Sequence, residues 1–174
     1  MVAQNILIEH QDGKIPAYLS EPPSGEMVGV IVISAIFGVD DDTQRICDRL
    51  AEAGYPAMAL NMFWQDDTDA GPLSGAEHEK AKARSLRVDR KDGNAYVEAA
   101  ISKMKSINSC NGKVAVFGFC YGGPYVVEAA ARHGIDGGVV FHGSYIEKFL
   151  PEFVNITCPI EFHYGDNDPI APMS

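Results

Sequence analysis

The stretch Val114-Ala115-Val116-Phe117-Gly118-Phe119-Cys120-Tyr121-Gly122-Gly123 constrains the fold of this chain more than any other. An apolar run suited to a strand leads into a G-x-C-x-G pattern. A segment rich in Ala and Val, Gly122 to His133, follows and reads as a helix. Such a sequence turns a strand sharply into a helix and strains the backbone of the residue at the tip. Side chains two positions either side would clash, so glycine is expected at 118 and 122. The turn lifts the Cys120 sulfur above the sheet edge and sets it at a helix N-terminus, where exposed N–H groups favour a thiolate. Cys120 is therefore the candidate nucleophile. The plainer alternative is a small buried residue between ordinary glycines.

The rest of the chain reads as an alternation of strands and helices. Asn5 to Glu9 and Ile15 to Ser20, around Asp12-Gly13, predict an antiparallel hairpin, with a turn at Pro22 to Gly25. Val28 to Ser34 predicts a strand buried on both faces, Thr43 to Ala53 a helix ending at Gly54, and Tyr55 to Leu60 a strand. Asn61 to Ser85 is polar and reads as a surface excursion, with a helix over Ala76 to Leu86. Gly93 to Ile107 predicts a helix, Lys113 to Phe119 the strand before the turn, and Gly138 to His142 and Ile160 to Tyr164 two more strands. The fold class is α/β, a mostly parallel sheet with helices on both faces. With 174 residues, one domain over 1–174 is expected.

A net charge of -10 argues against nucleic acid or an anionic membrane as partner. The N-terminus has neither a basic start nor a continuous apolar run, so a cytoplasmic protein is expected, monomeric or homodimeric. Cys47, Cys110, Cys120 and Cys158 form no CxxC pair and are expected to be free thiols. No His/Cys/Asp cluster has ligand spacing, so neither metal nor other cofactor is expected.

A nucleophile at such a turn needs an oxyanion hole, an acid and a base. One hole donor is the backbone N–H of Tyr121. The other comes from the loop Ser34-Ala35-Ile36-Phe37-Gly38, with Ile36 the candidate. Triad order places the acid after the nucleophile, and Asp168 in Gly165-Asp166-Asn167-Asp168-Pro169 is the candidate, though such residues also build plain turns. No histidine follows Asp168 in the sequence. His133, His142 and His163 precede it. His163 is expected to be a strand residue with a satisfied imidazole, and His142, beside Gly143, a weak substitute base at the rim.

Ile36-Phe37-Gly38-Val39, Gly54-Tyr55, the elbow Gly118 to Gly123, and Asp168 with Pro172 together resemble dienelactone hydrolases (carboxymethylenebutenolidases), in order over nearly the whole chain. The resemblance implies an α/β-hydrolase fold and a Cys-His-Asp triad that opens an enol-lactone through an acyl-enzyme. In it Cys120 is the nucleophile, Asp168 the acid, and the N–H groups of Ile36 and Tyr121 the oxyanion donors. Three departures stand out. The family's thiol-activating Glu falls at Ala35. The Arg that binds the substrate carboxylate falls in a region holding His78, Lys80, Lys82, Arg84 and Arg87, which could equally form a solvated helix face. The family also continues through a further strand and helix that carry the histidine, so the domain is expected to be incomplete at its C-terminus, with Ile160 to Tyr164 an uncovered sheet edge.

The expected activity is hydrolysis of lactones or small carboxylic esters, weak or absent in these 174 residues. Without the base, a residual acceleration of about 10³-fold over water can remain. The alternatives are a silent relative serving as a binding module, and a general esterase or thioesterase.

Overall fold

The computed structural model describes residues 1–168 and 170. A seven-stranded sheet runs in the order β1-β2-β4-β3-β5-β6-β7. Strands β1 (Val2–His10) and β2 (Gly13–Glu21) form the expected antiparallel hairpin, with Ile8 opposite Ile15. Strand β2 then pairs antiparallel with β4 (Ala57–Leu60). From β4 onward the sheet is parallel through β3 (Met27–Ile33), β5 (Cys110–Phe119), β6 (Gly137–Phe141) and β7 (Ile160–His163).

Strand β3 lies at the centre and is buried on both faces, which its run of β-branched residues requires. Ile31 and Ile33 face the larger core, under helices α3 (Arg90–Lys105) and α4 (Gly123–Arg132). Val30 and Val32 face the smaller core, where Cys47 of helix α1 (Asp41–Glu52) packs. Each such side chain contributes about 1.5–3 kcal/mol when fully buried. Helix α1 starts where Asp40 accepts a bond from Thr43 N at 2.9 Å. Helix α3 starts earlier than its apolar periodicity indicates, because Asp89 caps it through Lys91 N at 2.8 Å.

Several expectations are corrected. The segment after β4 is not a simple surface excursion: Met62, Phe63 and Leu73 are buried, as are Ala81 and Arg84 of helix α2 (His78–Ser85). His142 lies outside β6, in a left-handed conformation at φ 41°. A ten-residue 3-10 segment, Ile146–Asn155, crosses between β6 and β7 and carries Pro151; its sequence gave no clear signal. Strand β7 lies at the sheet edge with most of its residues exposed, as expected. No helix among the described residues is long and apolar enough to cross a membrane.

Parallel strands put their C-terminal ends at one edge. Ile33 of β3 is level with Gly118 of β5, Phe119 with Phe141 of β6, and Phe141 with His163 of β7. The loops leaving these strands therefore gather at one rim, where ligands bind in open α/β sheets.

Candidate active site

Cys120 stands at the tip of the β5–α4 turn with φ 51°, a left-handed conformation that costs a non-glycine residue roughly 1–2 kcal/mol. A single 3-10 turn, Cys120–Gly122, links it to α4. The two elbow glycines are where close approach demands them. A Cβ on Gly118 would lie 2.5 Å from Gly122 O, and one on Gly122 would lie 2.4 Å from Ile33 O. The turn is thus folded on itself and pressed against the end of β3. The thiol is half-buried, and its Sγ lies 3.1 Å from Ser144 Oγ.

The Tyr121 side chain points away from the rim. Its hydroxyl lies 2.9 Å from Tyr125 Oη within the core, and burial, then the Tyr125 phenol, push its ionisation well upward. Arg90 covers the Tyr125 ring at 3.5 Å and pairs with buried Glu128. The phenol is therefore committed to the core, which leaves Tyr121 only its backbone to offer a substrate.

The loop 34–38 leaves β3 beside the nucleophile. Its turn closes through Gly38 N to Ala35 O at 3.2 Å. Arg84 holds it from behind, with Nη2 donating to Ile36 O at 2.9 Å and Nη1 to the carbonyls of Asp69 and Gly71. The guanidinium stacks 4.1 Å from the Phe63 ring centre, and the side chain is 0% exposed. Arg84 is thus not part of a solvated helix face. Three backbone carbonyls occupy it, and it fixes the peptide plane next to the candidate Ile36 N–H. The four other members of that group are outward: Lys80 pairs with Asp69, Arg87 with Asp66, His78 with Glu79, and Lys82 is exposed. Sequence patterning named Arg84 only as one of five residues and could not single it out, because charged residues surround helix α2.

Asp168 follows β7 at the same rim and is half-buried. Its backbone N–H donates to Gly165 O at 3.3 Å, and its Oδ1 accepts from Ile170 N at 2.8 Å. Pro169 and Pro172 lie outside the described residues. None of the histidine rings is hydrogen-bonded to Cys120 among the described residues. His133 caps α4, half-buried, and burial lowers its ionisation. His163 is a strand residue of β7, as expected; its ring is exposed, stacked on Phe141 at 5.0 Å and 3.5 Å from Glu161. His142 is also exposed, two residues from Ser144. Among the described residues, no three His, Cys, Asp or Glu side chains are grouped as a metal would need.

The model of the dienelactone hydrolase family matches residues 15–174. Carboxymethylenebutenolidase 1 of Cupriavidus pinatubonensis is 29% identical over 160 residues, covering 90% of this chain and 68% of that protein. The carboxymethylenebutenolidase of Pseudomonas putida is 29% identical over 175 residues, covering 99% of this chain and 74% of that protein. Among solved structures, a dienelactone hydrolase-like promiscuous phosphotriesterase from metagenomic libraries superposes with a TM-score of 0.82 at 24% identity, over 99% of this chain and 72% of that one. The fold is that of α/β-hydrolases.

Proposed function

The chain belongs to the dienelactone hydrolase family, and from that membership we propose that it opens enol-lactones or cleaves small carboxylic esters through a thioester on Cys120. One observation carries the reading: Cys120 is a strained, left-handed residue at a strand-to-helix turn, with its sulfur at the rim where the β3, β6 and β7 loops meet. Strain of this kind persists only where surrounding structure imposes it, and it gathers at functional sites.

The Sγ lone pair forms the C–S bond to the substrate carbonyl carbon, and the π electrons move to the carbonyl oxygen. The N–H groups of Ile36 and Tyr121 hold that oxyanion, with Arg84 fixing the peptide next to the first from behind. Collapse of the intermediate breaks the C–O bond, and the leaving oxygen takes up a proton. Water then cleaves the thioester and releases the acid. Asp168 takes the part of the acid that orients the base. The reading also takes a small molecule as substrate, cytoplasmic location and a monomer or homodimer, with nucleic acid disfavoured by the net charge of -10.

The test is acid release from an activated phenyl ester and a dienelactone, by the chain and by Cys120→Ala, with folding matched by circular dichroism. The expected result is a burst of one product per chain, absent from Cys120→Ala, followed by slower turnover. Equal rates in the two proteins would overturn the assignment. A silent relative, the second reading, is favoured by Ala35, which puts a methyl group where the family's enzymes carry a carboxylate. It predicts stoichiometric binding with no burst.

A further inference from the structure

We propose that the Ser144 hydroxyl is the hydrogen-bond donor that steadies the Cys120 thiolate in this chain, a role that rests on the reading of Cys120 as nucleophile. The two residues are tied twice. Ser144 Oγ lies 3.1 Å from Cys120 Sγ, and Ser144 N donates to Cys120 O at 3.1 Å. Ser144 is 7% exposed, so the hydroxyl meets the sulfur with little competition from water.

The backbone around Ser144 supplies an independent argument. Among the described residues, the non-glycine positions with positive φ are Cys120 at 51°, His142 at 41° and Tyr145 at 59°. One is the nucleophile, and the other two bracket the Gly143-Ser144 pair. The segment is then clamped on both sides. Tyr164 Oη donates to Gly143 O at 3.2 Å, and His142 N donates to His163 O at 2.7 Å. Gly143 Cα also packs on the first turn of α4, where a Cβ on Gly123 would come within 2.6 Å of it. Left-handed backbone on both sides of Ser144 thus holds one small hydroxyl against the sulfur.

The chemistry fixes the direction of the bond once the thiol ionises. A thiolate only accepts, so the serine O–H must donate. Serine does not take the thiol proton, which passes to a general base or to water. A donor to the thiolate raises the thiolate fraction and lowers its intrinsic nucleophilicity, with a Brønsted slope of about 0.4–0.5. Losing the donor should therefore move the pH of half-maximal alkylation upward by about one unit, a tenfold loss of thiolate below it. The remaining thiolate should react roughly threefold faster. The two profiles must cross. At low pH Ser144→Ala reacts roughly threefold more slowly than the unaltered chain, and on the high-pH plateau roughly threefold faster.

The experiment is the rate of Cys120 alkylation by iodoacetamide from pH 5 to 10, located by peptide mass and corrected with Cys120→Ala. It compares the unaltered chain with Ser144→Ala and Ser144→Thr, which keeps the hydroxyl. Ser144→Gly replaces the alanine variant if that one does not fold. Crossing profiles with a near-parental Ser144→Thr are expected. An unchanged midpoint, or a uniform fall at every pH, would overturn the proposal. Ester hydrolysis that survives Cys120→Ala would instead overturn the nucleophile reading, whatever the alkylation shows.

Discussion

The 34–38 loop and the 142–145 turn approach Cys120 from opposite neighbours in the sheet, β3 on one side and β6 on the other, and they are held by opposite means. The first is anchored from behind by a buried cation that satisfies three backbone carbonyls, those of Ile36, Asp69 and Gly71. The second is bracketed by two non-glycine residues in left-handed conformations. The difference has a thermodynamic sign. Mutation should cost stability on the Arg84 side, whereas relief of strain on the other side should raise stability and reduce chemistry. Active sites commonly combine both, and stabilising changes there tend to cost function.

The largest effect is expected from Arg84→Met, which retains a stem over Phe63 and removes every donor. Three carbonyls lose their partner, and the loss should be about 3–5 kcal/mol by urea unfolding. Hydrolysis should fall with it, because the Ile36 peptide is no longer fixed. A loss below about 1 kcal/mol, as for an exposed cation, would show that water replaces the guanidinium. Next in size is Gly122→Ala. Its Cβ would meet the backbone oxygen of Ile33 at 2.4 Å, and backbone cannot swing aside as a side chain can. A loss of about 2–3 kcal/mol is expected from the overpacking, and a neutral result would mean that the elbow has room to open.

These two positions also mark how far the sequence could be read. Gly122 was legible because G-x-C-x-G after a strand has one steric meaning, and the hairpin and the central strand were legible from period and β-branching. Arg84 was not. His78-Glu79-Lys80-Ala81-Lys82-Ala83-Arg84 carries charge on every side, and nothing local says which cation turns inward. Its partners lie 48, 15 and 13 positions away and are all backbone carbonyls, which have no residue signature. Ser144 was hidden for a related reason. Its meaning depends on positive φ at His142 and Tyr145, residue types that give no warning of it. Patterning finds elements and turns. It does not find which loop side chain a strained backbone aims at the nucleophile.

A smaller effect with the opposite sign separates chemistry from folding at the tip itself. Cys120→Gly should be more stable than Cys120→Ala by about 1 kcal/mol, since only glycine occupies φ 51° without strain. Both variants should lack the burst. If alanine proves the more stable in thermal or urea melts, the left-handed geometry is not under strain and its use as a functional signature loses its footing.

The smallest expected effect falls at Tyr145, and it tests the comparison most directly. The side chain is 57% exposed, and Lys148 Nζ lies 4.3 Å from its ring centre, a surface contact of minor energy. Tyr145→Gly therefore loses little packing and sheds the left-handed penalty, so stability should rise by about 0.5–1 kcal/mol. The gain comes with a looser turn, because glycine permits conformations that tyrosine at φ 59° does not. Ser144 is then less firmly aimed at the sulfur, and low-pH alkylation of Cys120 should slow in the direction expected for Ser144→Ala, by a smaller factor. Higher stability with an unchanged alkylation profile would mean that the bonds from Tyr164 to Gly143 and from His142 to His163 hold Ser144 without help from Tyr145. Lower stability would mean that the turn is not strained at Tyr145, and the contrast with the Arg84-anchored loop would fail on that side.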